Sequence, residues 1–152
     1  MTTELVITTQ NAPNGMEIAG QVANGYAAKN AFGDYQDRKA DNTLRRQKDD
    51  LKLFAKFLAT ADISKAPTGE DLYSTPDAWR GVTWGLVEAW RNWSLQQGYS
   101  VGSVNVRLST VKQYAKLAAK AGALAPSDLA MVRTVNGYSH REGKRVDERR
   151  EV

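Results

Sequence analysis

Apolar residues recur at helical spacing in two long segments of this chain. At about 100° per residue, each apolar set falls within one arc of a helical wheel and polar residues fill another. Residues 43–60 contribute Leu44, Leu51, Phe54, Phe57 and Leu58, and residues 100–122 contribute Val104, Leu108, Val111, Ala115 and Ala118. Both segments are therefore predicted to be amphipathic helices, the first capped by Asp41 or Asn42 and the second by Ser100.

Shorter patterns predict three further helices and one loop. The helices cover residues 26–39, 83–97 and 127–134. Gly33 weakens the first helix, Gly98 ends the second and Pro126 opens the third. Residues 61–76 contain two prolines and are predicted to be a loop that can hold a short turn around residues 70–73. Strand-like alternation is confined to Leu5, Val6 and Ile7, and no internal repeat is visible, so the predicted class is all-α.

The two ends of the chain differ in composition from its middle. Residues 1–25 are polar and contain Gly and Asn, so we expect a mostly disordered, flexible arm. Residues 139–152 are dense in both signs of charge and predict a solvated helix or the start of a linker, as if a further domain followed. The folded domain is expected at residues 26–138. Within it, Trp90 and Trp93 at helical spacing are expected in the core, whereas Trp84 points elsewhere on the wheel.

Composition narrows the kinds of protein this can be. With 152 residues and 41% hydrophobic content, the chain can build one domain around one core. It has no cysteine and a single histidine, His140, so thiolate and multi-histidine metal sites are excluded and no cofactor is expected. No run approaches eighteen apolar residues and no signal peptide opens the chain, which favours a cytoplasmic protein without a membrane partner.

The net charge of +4 is concentrated in the two long helices. Residues 100–125 hold four basic side chains and no acidic one. Their polar arc contains Asn105, Ser109, Lys112, Gln113, Lys116 and Lys120, and the polar arc of residues 43–60 contains Arg45, Lys48, Lys52 and Lys56. Ammonium and guanidinium groups can neutralise phosphates, and amide or hydroxyl groups can bind base edges, so the pattern favours double-stranded DNA as partner. The alternative is that both arcs are simply solvated helix faces.

The same two helices resemble motifs of a known family. Thr43, Asp50, Leu51, Phe54, Phe57 and Leu58 match the second-helix pattern of the N-terminal core-binding domain of tyrosine recombinases, the phage integrase family. Gly98, Ser100, Val104, Asn105, Arg107, Leu108, Ser109 and Tyr114 match the pattern of that domain's last long helix. The resemblance implies a SAM-like bundle of four main helices plus a short C-terminal helix, with the second and last helices facing DNA. It also implies other recombinase protomers as partners of the full-length protein.

The catalytic residues of that family are missing from this sequence. The family uses a tyrosine nucleophile, two arginines, a lysine and a His-x-x-Arg motif in a separate C-terminal domain. Here His140 is followed by Arg141, Glu142 and Gly143, and no segment remains for the other members. The resemblance therefore implies a non-catalytic DNA-binding part of a recombinase, monomeric as an isolated domain and nucleoid-associated when bound to DNA.

The expected contacts come from three segments of the chain. The predicted DNA-binding residues are Thr43, Arg45, Arg46, Lys48, Lys52, Asn105, Arg107, Ser109, Lys112, Lys116, Arg141, Lys144 and Arg145. Those before residue 60 would contact phosphates, those on the last long helix would lie along the major groove, and those in the tail would follow the backbone. Asn105 and Arg107 are the candidates for base edges, although Arg107 could instead fold over a neighbour or form an ion pair.

Three other functions fit parts of the sequence. A helix-turn-helix regulator would need a three- or four-residue turn between two helices, which only the corner at Gly98 could provide. A protein-interaction bundle would use the tryptophan segment and leave Trp84 exposed. A small-molecule enzyme has the least support, because the sequence shows no paired carboxylates, no nucleophile beside a base and no phosphate-binding loop.

Overall fold

The fold is all-helical, as the apolar spacing predicted. The computed structural model describes residues 12, 14–61 and 65–151, and within these ranges it contains helices and no strand. The eight α-helices are α1 (Gly15–Lys29), α2 (Ala31–Asp37), α3 (Asp41–Thr60), α4 (Gly69–Ser74), α5 (Trp84–Gln96), α6 (Val101–Lys120), α7 (Pro126–Arg133) and α8 (His140–Glu151), and a 3-10 turn covers Pro76–Trp79. None of these helices is long and apolar enough to cross a bilayer.

The predicted N-terminal organisation is wrong in two respects. Residues 15–25 belong to α1 and are not a disordered arm, so the predicted domain boundary at residue 25 falls inside a helix. The Asn14 side chain caps α1 by accepting from the Glu17 amide. The single helix predicted for residues 26–39 is divided at Asn30, whose side chain and backbone amides both donate to the Tyr26 carbonyl. The strand-like run at residues 5–7 lies outside the described residues.

The predicted caps and turns are confirmed at most other helix ends. Ser100 caps α6 through its side-chain oxygen, as predicted, and Gly98 adopts a φ of +90° between α5 and α6. Thr83, predicted as the first residue of α5, is instead its N-cap and accepts from the Leu86 amide. Helix α3 instead begins at Asp41, with Ala40 as a cap that offers no side-chain bond, so neither Asp41 nor Asn42 is the N-cap. Pro126 occupies the first turn of α7, as predicted.

The short turn predicted around residues 70–73, within the loop at residues 61–76, is present as the helix α4. A capping box starts it, because the Thr68 hydroxyl accepts from the Asp71 amide and the Asp71 carboxylate accepts from the Thr68 amide. Gly69 lets α4 lie directly on α3, since a Cβ at this position would come within 2.8 Å of the Lys52 Cα atom. The sequence signal for this short helix is its cap and not an apolar repeat.

The core forms where aromatic rings from separate helices meet. Phe54 of α3 stacks on Trp79 with ring centroids 5.9 Å apart and meets Trp90 of α5 edge-on at 5.3 Å. Trp90 is fully buried and Trp93 packs against Phe57, as predicted for both tryptophans. Tyr114 on α6 lies at the other end of this core, beneath three aromatic rings from α2 and α4.

Helix α6 is the centre of the bundle. It contacts α2, α3, α5, α7 and α8, as well as the 3-10 turn. The charged tail forms α8, the helical alternative of the two predicted, and folds back on the start of α6. There Gly143 packs against Val101, and the Arg150 guanidinium donates to the Tyr99 carbonyl at 2.8 Å.

Candidate nucleic-acid interface

The outer face of α6 carries cations and amides but no carboxylate. Val104, Leu108, Val111, Ala115 and Ala118 are buried, so the polar arc of α6 turns outward. On that arc Ser109 and Lys120 are exposed, while Lys112, Gln113 and Lys116 are half-buried. The Ser109 hydroxyl donates to the Asn105 carbonyl one turn back. The helix therefore presents ammonium, amide and hydroxyl groups along three consecutive turns.

Cations from two neighbouring helices extend this face. Arg133 of α7 lines a shallow depression of about 310 Å³ together with Ser109, Lys112, Gln113 and Lys116. Arg38 and Lys39, at the end of α2, line a groove of about 740 Å³ with Lys116 and Lys120, and Asp34 is the carboxylate that also lines it. We call the set Arg38, Lys39, Lys112, Lys116, Lys120 and Arg133 the α6 basic face.

Sequence reasoning missed three members of the α6 basic face. Arg38 and Lys39 lie in residues 1–40, whose net charge of −1 hid an adjacent basic pair (three basic, four acidic side chains). Arg133 lies in a short helix that carried no basic pattern of its own. The adjacent Arg-Lys pair was a usable signal, because it stands at a helix end. The position of Arg133 beside Lys112 could come only from the tertiary fold.

Lys112 has a structural contact in addition to its place on this face. Its ammonium donates to the Val135 carbonyl at 2.8 Å, and partial burial lowers the pKa of this lysine below its ordinary value. The contact anchors the segment that follows α7 to α6. An ammonium has three donors, so this bond leaves capacity for a phosphate.

Asn105 is engaged by the backbone of the protein itself. Its amide nitrogen donates to the Tyr138 carbonyl and its oxygen accepts from the Tyr138 amide, both at 2.8 Å. Gly137 makes room for this pair, because a Cβ at residue 137 would collide with the Asn105 side chain. Asn105 therefore acts as a clamp between α6 and the segment before α8, and it could form a two-bond contact with a base edge only by giving up this pair.

Arg107 lies against the protein, in agreement with the alternative that it folds over a neighbour or forms an ion pair. Its guanidinium carbon is 4.4 Å from the centre of the Tyr99 ring, and Nε is 3.9 Å from the Asp50 carboxylate. Asp50 also accepts from the Thr110 hydroxyl at 2.7 Å and lies 3.9 Å from Arg46. Burial raises the pKa of Asp50 above its ordinary value, and Thr110, Arg46 and Arg107 each offset part of that rise.

The basic arc of α3 diverges from the direction in which α3 packs on α6, but Lys52 and Lys56 line a shallow depression of about 270 Å³ together with Arg107 of α6. Gln47 and Asp50 face α6, since they bond to Tyr114 and Thr110. At 100° per residue, Arg45, Lys48, Lys52 and Lys56 lie about 130–170° from that direction. Several of these cations have partners within the chain: Lys52 is 3.9 Å from Asp49, Lys48 lies 4.7 Å over the Tyr73 ring, and Arg45 donates to Asn42 at 3.4 Å. Thr43 is half-buried.

The tail cations are exposed on α8. Arg141, Lys144 and Arg145 share this helix with Glu142, Asp147 and Glu148, so both signs of charge are interspersed. Ser139 and Glu142 form reciprocal bonds at its start, and these bonds lower the pKa of Glu142 below its ordinary value. The structure thus divides the predicted contacts into an α6 group, an α3 group that meets α6 at Arg107 and an α8 group with mixed charge.

Comparison of the chain with protein-family models, with curated proteins and with solved structures found no match.

Proposed function

We propose that this chain is a double-stranded DNA-binding module whose contact helix is α6. The single observation that carries the proposal is the α6 basic face: six cations from α6, from α7 and from the two residues that follow α2 lie around one helix that has no acidic residue. Such a surface attracts a polyanion, and neutralised phosphates release condensed counterions, which favours binding.

The exposed groups of α6 suggest how the contact is divided. Lys116, Lys120 and Arg38 would bind phosphates and fix the register of the helix on the duplex. Gln113 and Ser109 would approach base edges, because they lie between the cations and a glutamine can form two hydrogen bonds with adenine. In this proposal Gln113 and Ser109 replace Asn105 and Arg107, the residues predicted from sequence to contact base edges. Asn105 bonds to the Tyr138 backbone, and the Arg107 Nε lies near the Asp50 carboxylate.

The wider role we propose is that of a recombinase module without catalytic activity of its own. The support is the resemblance of residues 41–58 and 98–122 to the core-binding domain of tyrosine recombinases. In this proposal the full-length protein is cytoplasmic, associates with the nucleoid, and meets other recombinase protomers on DNA. The α8 cations would then follow the duplex backbone toward a catalytic domain.

The test is fluorescence anisotropy of a labelled duplex at several salt concentrations. Six phosphate contacts predict a slope of log affinity against log salt of about −5. Lys116→Ala or Lys120→Ala should reduce the steepness by about 1 each, while Lys56→Ala on α3 should leave it unchanged. Equal losses at Lys56 and Lys116 would favour the two-helix contact predicted from sequence. Salt-insensitive binding, or none at low salt, would contradict DNA binding.

A protein-interaction module is the second candidate function, because the surface exposes large apolar side chains. Trp84 is 43% exposed, and Tyr26 on α1 is 68% exposed with Ile18 and Val22 on the same side of the helix. A Trp84→Ala variant that keeps full DNA affinity but loses binding to a purified partner would assign Trp84 to such an interface. Loss of DNA affinity in that variant would instead connect Trp84 with the DNA contact.

A further inference from the structure

The groove beside α6 combines an apolar floor with a cationic rim. The floor contains Ala27 and Ala28 of α1, Ala31 of α2 and Leu117 of α6, and the groove is also lined by Asn24, Tyr35 and Gln113. Arg38, Lys39, Lys116 and Lys120 form the rim, where Asp34 is the carboxylate. Its volume of about 740 Å³ lies within the range of about 300–1,000 Å³ that is usual for ligand sites.

A duplex accounts for the rim but not for the floor. The surface of DNA is a hydrated phosphate backbone, and alanine methyl groups offer it neither charge nor hydrogen bonds. An amphipathic helix accounts for both, because it buries apolar side chains in a groove and directs polar ones to the edges. Small floor residues let the backbone of such a helix approach closely, and four cations around one carboxylate favour acidic side chains at its edges.

Helix α1 is also packed only lightly against the rest of the described residues. None of its residues is buried, and it contains Gly20 and Gly25 within its 15 residues. A helix of that length gains little stability from propensity alone, so it depends on packing. A second helix in the groove would cover Ala27 and Ala28 and supply the burial that α1 lacks.

We propose that the groove between α1–α2 and α6 binds an acidic amphipathic helix of a protein partner. Its apolar side would lie on Ala28, Ala31 and Leu117, and its carboxylates would pair with the rim. Because Lys116 and Lys120 also belong to the α6 basic face, the bound helix and DNA would exclude each other. That competition rests on the proposed DNA contact, whereas the peptide site itself does not.

The probe is a labelled peptide of about 16 residues, with leucines at helical spacing and glutamates elsewhere, compared with a scrambled peptide of the same composition. We expect the patterned peptide to bind at least about tenfold more tightly than the scrambled one. Lys120→Glu and Arg38→Glu should each weaken the binding of the patterned peptide about fivefold, because each change of charge replaces an attraction to the glutamates by a repulsion. Lys56→Glu, on α3 and outside the lining of the groove, is the matched control and should leave the peptide affinity unchanged. Added duplex should displace the peptide.

Several results would overturn the proposal. Equal binding of the scrambled peptide would show only general attraction between opposite charges, and absence of binding at low salt would remove the site. If the NMR signals of the Ala28 and Leu117 methyl groups shift on self-association, the groove binds a second copy of the chain. If the same signals shift when duplex alone is added, the groove binds DNA. Arg133→Ala, outside the groove, tests DNA binding separately, so failure of the peptide site and failure of the proposed function remain distinguishable.

Discussion

Asn105→Ala separates the structural role of this residue from a role in base contact. In the structure the asparagine side chain closes two hydrogen bonds with the backbone of Tyr138, 33 positions later. It thereby fixes the segment between α7 and α8 against α6. Alanine removes both bonds and leaves a carbonyl and an amide of a half-buried residue without these partners.

The expected cost follows from those two bonds. Each contributes about 1 kcal/mol to stability, and a buried backbone group left without a partner costs about 1–3 kcal/mol. Since water reaches part of Tyr138, we expect the free energy of unfolding to fall by about 2–3 kcal/mol. For a domain of this size that corresponds to a fall in Tm of about 5–10 °C.

Urea unfolding followed by far-UV circular dichroism measures this change. Ser109→Ala is the matched control, because Ser109 lies one turn further along the same face and its hydroxyl bonds only to the Asn105 carbonyl. The control should remain within about 0.5 kcal/mol of the unsubstituted chain. DNA affinity should then be compared at a temperature at which every variant is folded, and there Asn105→Ala should bind like the unsubstituted chain.

The opposite pattern would refute the reasoning. If Asn105→Ala unfolds with the free energy of the unsubstituted chain but binds DNA about tenfold more weakly, Asn105 contacts bases and the clamp is not significant.

Two further predictions concern a buried carboxylate and a helix end. Burial raises the pKa of Asp50 above its ordinary value of 3.8 in the folded chain. Between these two pKa values the folded chain binds more protons than the unfolded chain, so the contribution of Asp50 to stability increases as the pH falls through that range. On acidification, the unfolding free energy of the unsubstituted chain should therefore rise relative to that of Asp50→Asn. A fall relative to Asp50→Asn would show that the effects of Thr110, Arg46 and Arg107 on the pKa of Asp50 outweigh burial. Gly122→Ala should cost about 1 kcal/mol in thermal unfolding, since φ is +84° there although a Cβ would meet no atom within 4 Å. Gly102→Ala, inside α6 with equally open space, should be neutral or stabilising, and a similar loss at both positions would contradict the assignment to backbone strain.

Local patterns were sufficient to predict most of the fold. The helices α3, α5, α6 and α7 follow from apolar spacing, and Thr83, Ser100, Gly98 and Pro126 mark their ends through their own backbone and side-chain preferences. The errors lie where such patterns are weak. Helix α1 has apolar residues at helical spacing, Ile18, Val22 and Tyr26, but they are exposed and stand among Gly and Asn residues. Helix α4 is too short to show a repeat, so only a turn was predicted there.

The candidate site was less predictable than the fold. The basic arc of α6 was found from its charges, but the tertiary structure added Arg38, Lys39 and Arg133 to it. The same structure directs Asn105 and Arg107 inward, because Tyr138, Tyr99 and Asp50 come to them from distant parts of the chain. A helical wheel gives the direction of a side chain but not what it meets there.

The sequence by itself determined an all-α chain with two charged amphipathic helices, because helix formation, capping and charge along one helix depend on neighbours within a few residues. Only the tertiary structure decided that the basic arc of α3 meets α6 at Arg107 and does not join the α6 basic face, and that α2 and α7 complete that face. These are contacts between segments far apart in sequence, and their geometry depends on how Phe54, Trp90 and Tyr114 pack into one core.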